Sequence, residues 1–316
     1  MHLPVQRKRY NGRINHEKNQ NVFVIAQKEF ADNVCSPKFI TLLLTFMVIV
    51  FSKSYITGIL ADENLFRGLF IDVAQIIALF LPFMGIALGF DAVNKERKSG
   101  SLNVLLTHPL YRDTIITGKT LGALITLALV VFVSIVIVVG TRLVASGAEF
   151  SSLMLNRLTI FTVLTYLYLS IFMGLGILGS IITKNAVSSL IYNIAIWLVL
   201  CVAFGMIFTT AASIIAGHKP LDLTDNDRFL EINSDLQKLS PIHHYAMTVS
   251  GVPNLSLLGV SSERPAVSGI FDTEHTLEQW WDEFWTNILT LVITPIFLMI
   301  VAFMTFLRQD ISKDMG

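Results

Sequence analysis

The chain has 316 residues, 53% of them hydrophobic and only 15% charged, and its mean hydropathy is +0.64. A soluble domain carries about 25% charged residues, so lipid rather than water solvates much of this chain, and a soluble enzyme is excluded. The 23 basic residues cancel the 23 acidic ones, leaving no net attraction for nucleic acid.

A hydrophilic stretch comes first, followed at residues 22–34 by Val22, Phe23, Ala26, Phe30 and Val34 at helical spacing, with Gln27, Lys28, Glu29 and Asp32 between them. This predicts an amphipathic helix lying on the inner membrane surface. The first apolar run begins only near Phe39, so no cleaved signal peptide is expected. A spanning helix needs roughly 20 apolar residues for a hydrocarbon core of about 30 Å. Such runs occur at about 39–60, 70–91, 115–140, 158–182, 187–215 and 287–307, which predicts six transmembrane helices. The fourth and fifth are separated only by Thr183, Lys184, Asn185 and Ala186 and form a tight hairpin. Pro82 and Pro295 are expected to bend their helices, with neighbours satisfying the freed carbonyls.

Orientation follows from the flanking basic residues. Arg7, Lys8, Arg9, Arg13, Lys18, Lys28 and Lys38 precede the first span, and Lys95, Arg97, Lys98 and Arg112 lie between the second and third. Only Arg67, Arg142 and Arg157 mark the short loops opposite. Both termini are therefore expected in the cytoplasm, and residues 216–286 as one external segment. That segment contains two helical stretches. Thr224 and Asp227 resemble a capping box before Phe229, Ile232, Leu236 and Leu239. Leu277, Trp280, Trp281, Phe284, Trp285 and Ile288 form an aromatic stripe suited to the membrane–water boundary.

No catalytic constellation emerges. HExxH and GxSxG patterns are missing, and Cys35 and Cys201 lie too far apart in the predicted topology for a disulfide. Thr117-Gly118-Lys119-Thr120 has the tail of a phosphate-binding loop, but Asp113 stands where a glycine is needed and no strand precedes it. No ATP site is expected in this chain. His243, His244 and Met247 offer metal-ligating groups, but adjacent histidines are common in loops without metal and no further ligand is evident by spacing, so no metal is assigned.

Other motifs read as packing. Gly85/Gly89 and Gly118/Gly122 are GxxxG pairs, and Ser170/Gly174 and Gly176/Ser180 are small-xxx-small pairs. Thr162, Thr165, Tyr166 and Ser170 mark one face of the fourth span, suited to interhelical hydrogen bonds or to a substrate pathway. The second loop, from Asn94 to Asp113, has a charged start, a turn at Gly100, the apolar Leu102, Leu105 and Leu106, and a stop at Pro109. A loop that only connects spans has no need of exposed leucines, which instead suit docking against a protein partner.

On these residues the chain resembles the membrane subunit of an ABC transporter, in the type-2 exporter permease family. Gln27-Lys28-Glu29-Phe30 fits that family's N-terminal elbow helix. Glu96-Arg97, Gly100-Ser101-Leu102, Leu105-Leu106, Pro109, Arg112 and Gly118-Lys119 match its second loop in order, and Ser240-Pro241, His243 and Tyr245 match before the last span. Ser101 stands where threonine is usual, and the external segment is longer than in the simplest members. The long segment before the last span is similar to that of permeases associated with copper-enzyme maturation, a likeness that names no cargo.

The resemblance implies an all-α integral membrane protein forming a single permease domain. Residues 1–38 would be the cytoplasmic tail and elbow helix, carrying Phe23, Ala26 and Phe30, 39–215 spans one to five, 216–286 a small external helical segment, and 287–307 span six. It further implies a multi-pass subunit of the plasma membrane, paired with a second permease copy or paralogue and with ABC ATP-binding subunits that hold ATP and magnesium. Glu96, Gly100, Leu102, Leu105, Leu106, Pro109 and Arg112 would form the helix that couples to the ATPase. The expected function is ATP-driven export or extraction of a substrate. The alternative is a non-transporting assembly that passes mechanical signals to an external partner.

Overall fold

The computed structural model describes residues 20–60, 66–99, 112–146, 152–216, 227–251 and 267–308, and among these every regular element is a helix. An amphipathic helix α1 (20–34) precedes α2 (Pro37–Leu60), α3 (Phe66–Phe80), α4 (Pro82–Gly89) and the short α5 (Asn94–Ser99). Then come α6 (Arg112–Ser146), α7 (Ser152–Ile182) and α8 (Ala186–Leu198), which a π turn (Val199–Ala203) joins to α9 (Phe204–Ala216). The chain closes with α10 (Asp227–Gln237), α11 (Pro241–Ser250) and α12 (Leu277–Arg308).

Among the described residues five helical stretches are long and apolar enough to cross a membrane: Pro37–Ile56, Asp113–Thr141, Ser152–Ile182, Ala186–Ile215 and Leu277–Arg308. The second predicted span takes another form, α3 and α4 meeting at Leu81, with a shorter apolar stretch Val73–Gly89. Pro82 explains the break, since it lacks an N–H and crowds the carbonyl one turn earlier. That carbonyl, Ala78 O, accepts instead from the Tyr168 hydroxyl at 2.8 Å, and the neighbouring Leu79 O accepts from Trp197 Nε1 at 3.0 Å. Side chains from the fourth and fifth spans thus replace the missing backbone bond.

α7 is the central helix, with buried residues along its whole length from Met154 to Ile181. Helix α4 lies against it through glycine. A Cβ at Gly89 would come within 2.6 Å of Met173 O and Ile177 N, and one at Gly85 within 2.8 Å of Leu169 O. Gly176 faces Gly89 in return, and Gly174 meets Leu298 of α12. The GxxxG and small-xxx-small reading of these residues is realised as close backbone approach.

Part of the stretch expected as an external segment, 216–286, packs into the bundle. Every side chain of α11 from Tyr245 to Ser250 is buried. Tyr245 stacks on Tyr168 at 4.5 Å, and its hydroxyl lies 3.0 Å from Thr165 Oγ1. Gly251 ends α11 at φ 65°, a conformation that costs glycine least. Arg157, only 1% exposed, holds the segment before α12 in place, its guanidinium donating to Ile270 O and His275 O at 2.6 Å each. The aromatic stripe divides by face: Trp280 and Phe284 are buried, while Trp281 and Trp285 are exposed.

Candidate functional site

At one end of the bundle α1, the 91–99 segment, the start of α6 and the α7–α8 turn come together. The end opposite is called the far end below. Helix α1 docks on Gly118 and Gly122 of α6. A Cβ at Gly118 would meet Ile25 at 2.7 Å, and one at Gly122 would meet Ala26 O at 2.6 Å. With the backbones this close, Glu29 and Lys119 are both buried and pair at 2.8 Å. Two buried charges are tolerated because each neutralises the other's desolvation cost. Of the sequence-assigned residues of α1, Ala26 is buried at this contact, Phe30 is half-buried, and Phe23 stands 70% exposed. The helix thus packs through Ile25, Ala26 and Glu29 and turns Phe23 and Val24 outward.

The 91–99 segment is bound to the end of α7. Val93 N and Asn94 N donate to Ser180 Oγ at 2.9 and 3.2 Å, and Asn94 Nδ2 to Thr183 Oγ1 at 3.2 Å. Arg97 donates to Thr183 O at 3.0 Å and to Ile181 O at 3.2 Å. A helix leaves its last four carbonyls without intrahelical partners, and a cation there also complements the helix dipole. Arg97 therefore caps α7 from another element. On the other flank Lys95 lies 3.7 Å from Asp32 of α1. Burial raises the Asp91 carboxyl above its ordinary 3.8; Glu29 adds to the rise, and Lys95, Lys119 and Lys38 oppose it.

Among the residues assigned to the coupling loop, Glu96 lies in α5 and Arg112 opens α6. Gly100, Leu102, Leu105, Leu106 and Pro109 lie outside the described residues. The described segments bring both roots of that loop to this junction, one through Arg97 and the other beside Lys119.

The hydroxyl face of α7 turns inward on its own helix. Thr162, Thr165 and Ser170 donate to the carbonyls four residues back at 2.7, 2.8 and 2.7 Å, and Tyr166 reaches Leu124 O at 3.4 Å. Thr165 also meets Tyr245. His243 is buried, and both ring nitrogens of His244 are engaged, Nδ1 with Asn287 Oδ1 at 2.7 Å and Nε2 with Lys238 O at 2.8 Å. Among the described residues no group of three or more His, Cys, Asp or Glu is placed to hold a metal. Chemically the junction offers a mechanical connection rather than a reaction: one buried charge pair and one capped helix end join its segments.

The Glu29–Lys119 pair and the Arg97 cap escaped the sequence reading. Glu29 counted there as part of a polar face and Lys119 as part of a fragmentary loop motif. The usable signal was Gly118-x-x-x-Gly122 next to a lysine in an apolar helix, since a close-packed seam buries whatever sits beside it.

The chain matches the family described as ABC-2 family transporter protein over residues 23–311. A protein of Pseudomonas aeruginosa described as a probable ABC transporter permease protein NosY is 31% identical over 111 residues, covering 34% of this chain and 40% of the relative. A protein of Stutzerimonas stutzeri with the same description is 29% identical over 115 residues, covering 35% of this chain and 42% of the relative. The aligned stretch thus spans well under half the length of either relative.

Proposed function

This chain belongs to the ABC-2 transporter family, and from that premise we propose that it is the membrane-spanning permease subunit of an ATP-driven ABC transporter that exports or extracts a substrate. ATP and magnesium are held by a separate ATP-binding subunit, and a second permease copy or paralogue completes the assembly in the plasma membrane. The α1 end faces the cytoplasm, together with both termini. Glu96, Gly100, Leu102, Leu105, Leu106, Pro109 and Arg112 form the contact with the ATPase.

The observation that carries this reading is the bonding of Asn94 and Arg97 to the end of α7. A loop anchored at its root to the central helix can pass a push from a cytoplasmic subunit into the spans without dissipating it in loop motion. A transporter alternates between at least two conformations, and such an anchor lets the ATPase bias one of them.

Leu105→Asp tests the reading. An unpaired carboxylate in an apolar contact costs several kcal/mol, and each loss of about 1.4 kcal/mol weakens association tenfold. The variant is expected to reach the membrane in normal amount but to lose co-purification of the ATPase or substrate-stimulated ATP hydrolysis. Normal recovery and normal stimulation would remove this loop from the coupling path.

A further inference from the structure

Helices α10 and α11 form a hairpin folded back along the far half of the fifth span. α10 lies against α9 and buries Phe229, Asn233 and Gln237. The chain then turns at 238–240 into α11. One bond sets the depth of that turn: Ser240 Oγ donates to Leu200 O at 3.0 Å. Leu200 sits in the middle of the 30-residue span Ala186–Ile215. Such a helix is about 45 Å long, against roughly 30 Å of hydrocarbon. However the surplus is shared between the two ends, Leu200 lies about 7 Å or more inside the apolar layer. The tip of the hairpin is therefore below the headgroups.

The exposed face of α10 is charged. Arg228, Glu231, Asp235 and Lys238 follow one another at helical spacing and are all exposed. Asp235 and Lys238 pair at 2.7 Å with side chains 66% and 51% exposed. Behind them His244 joins Lys238 O to Asn287 Oδ1. Helix rise sets Asp235, Glu231 and Arg228 about 7, 13 and 18 Å back from the tip toward the far surface, so the end of the stripe at Asp235 and Lys238 is the part at depth, and hydrocarbon cannot solvate it. Snorkelling can rescue a lysine near the layer's edge, but aspartate is too short to reach out of it. Ionisable groups at such depth face a water-filled space or the interior of a bundle.

We propose that the Arg228–Glu231–Asp235–Lys238 stripe lines a water-filled vestibule that enters the assembled protein from its far face and admits hydrophilic, charged solutes rather than lipid tails. With its two carboxylates set between two cations, the stripe offers a carboxylate to a cationic group and a cation to an anionic one within a single turn of helix. The vestibule rests only on the chain's lying in a membrane, and its use by cargo rests on the permease reading.

The test places single cysteines at Asp235, Lys238 and Ile293 of the full chain, in a Cys35→Ser, Cys201→Ala background, in cell membranes that retain the partner subunits. Ile293, exposed and apolar on α12, is the lipid-facing comparison. A membrane-impermeant cationic methanethiosulfonate is applied to the face away from α1, using intact cells or inverted vesicles as the orientation requires. A lipid-soluble maleimide is applied in parallel. Asp235→Cys and Lys238→Cys are expected to react with the impermeant reagent several-fold faster than Ile293→Cys. If they react only with the lipid-soluble reagent, or with neither, there is no vestibule at this stripe. Either result leaves the coupling reading untouched, because no ATPase step enters the measurement. Should Asp235→Cys fail to accumulate, Lys238→Cys, nearer the tip, decides alone.

Discussion

At the scale of single residues, Glu29 and Lys119 hold α1 to α6 by a pair that neither can lose alone. Lys119→Met strands a buried carboxylate, and breaking a buried pair from one side costs about 3–5 kcal/mol. Replacing both, Glu29→Leu with Lys119→Met, is expected to recover most of that loss. Thermal unfolding of the three variants in detergent gives the coupling directly; additive effects would show that the charges do not interact. Asp272 makes a second residue-scale case. Burial alone would raise its carboxyl, but the N–H groups of Ser268 and Glu274 and the ring of His275 outweigh it and hold it below the ordinary 3.8. A depressed folded value means stabilisation that is complete above 3.8 and is lost as the pH falls through the folded value. Asp272→Asn should therefore lower stability at neutral pH, by about 1.5–3 kcal/mol if hydrogen bonds to a charged group set the scale. The deficit should shrink in acid. A difference independent of pH would assign the effect to packing.

At the scale of elements, glycine decides where helices meet. Gly89 has no room for a Cβ, whereas Gly140 of α6 has nothing within 4 Å. Gly89→Val is expected to force α4 off α7 and to abolish folding or lower the melting temperature sharply. Gly140→Ala should be neutral or stabilising by up to about 1 kcal/mol, the helix-propensity difference. Equal behaviour of the two would mean that α4 does not pack as described. These seams were legible in the sequence because GxxxG at 85–89 and 118–122 stands out in an apolar helix, and the runs of apolar residues located the long helices. The partners of the seams were not legible. Nothing local in Gly118 and Gly122 distinguishes α1 from another span as the occupant, and the break at Leu81 with its capture by Tyr168 depends on a residue far along the chain. The burial of α11 escaped for a similar reason. Pro241–Ser250 mixes apolar residues with His243, His244, Thr248 and Ser250, and its place inside the bundle depends on distant partners, the Tyr168 ring, the Thr165 hydroxyl and the Trp280 indole.

For the whole molecule, basic residues cluster on one side of the spans, and Cys35 lies exposed on that side just before α2. By the positive-inside rule Cys35 is expected in the cytoplasm. In intact cells an impermeant maleimide should leave Cys35 unlabelled and should label it once the membrane is opened. Labelling in intact cells would invert the orientation and with it the side from which an ATPase could reach the 94–112 loop. This is a property that long-range charge bias carries in the sequence and that helix packing alone does not express.

Arg97 has a mechanical consequence. Its guanidinium holds two carbonyls at the end of α7, beside a turn so short that Asn185 already caps α8, its side chain accepting from Ser188 N at 2.8 Å. A displacement of α5 therefore acts on both helices of that hairpin at once, as torque on a rigid lever rather than as a pull on either arm. The lever's other arm ends at the π turn, where Leu200 O receives the Ser240 hydroxyl. A small tilt at the α1 end would be felt at the tip of the α10–α11 hairpin.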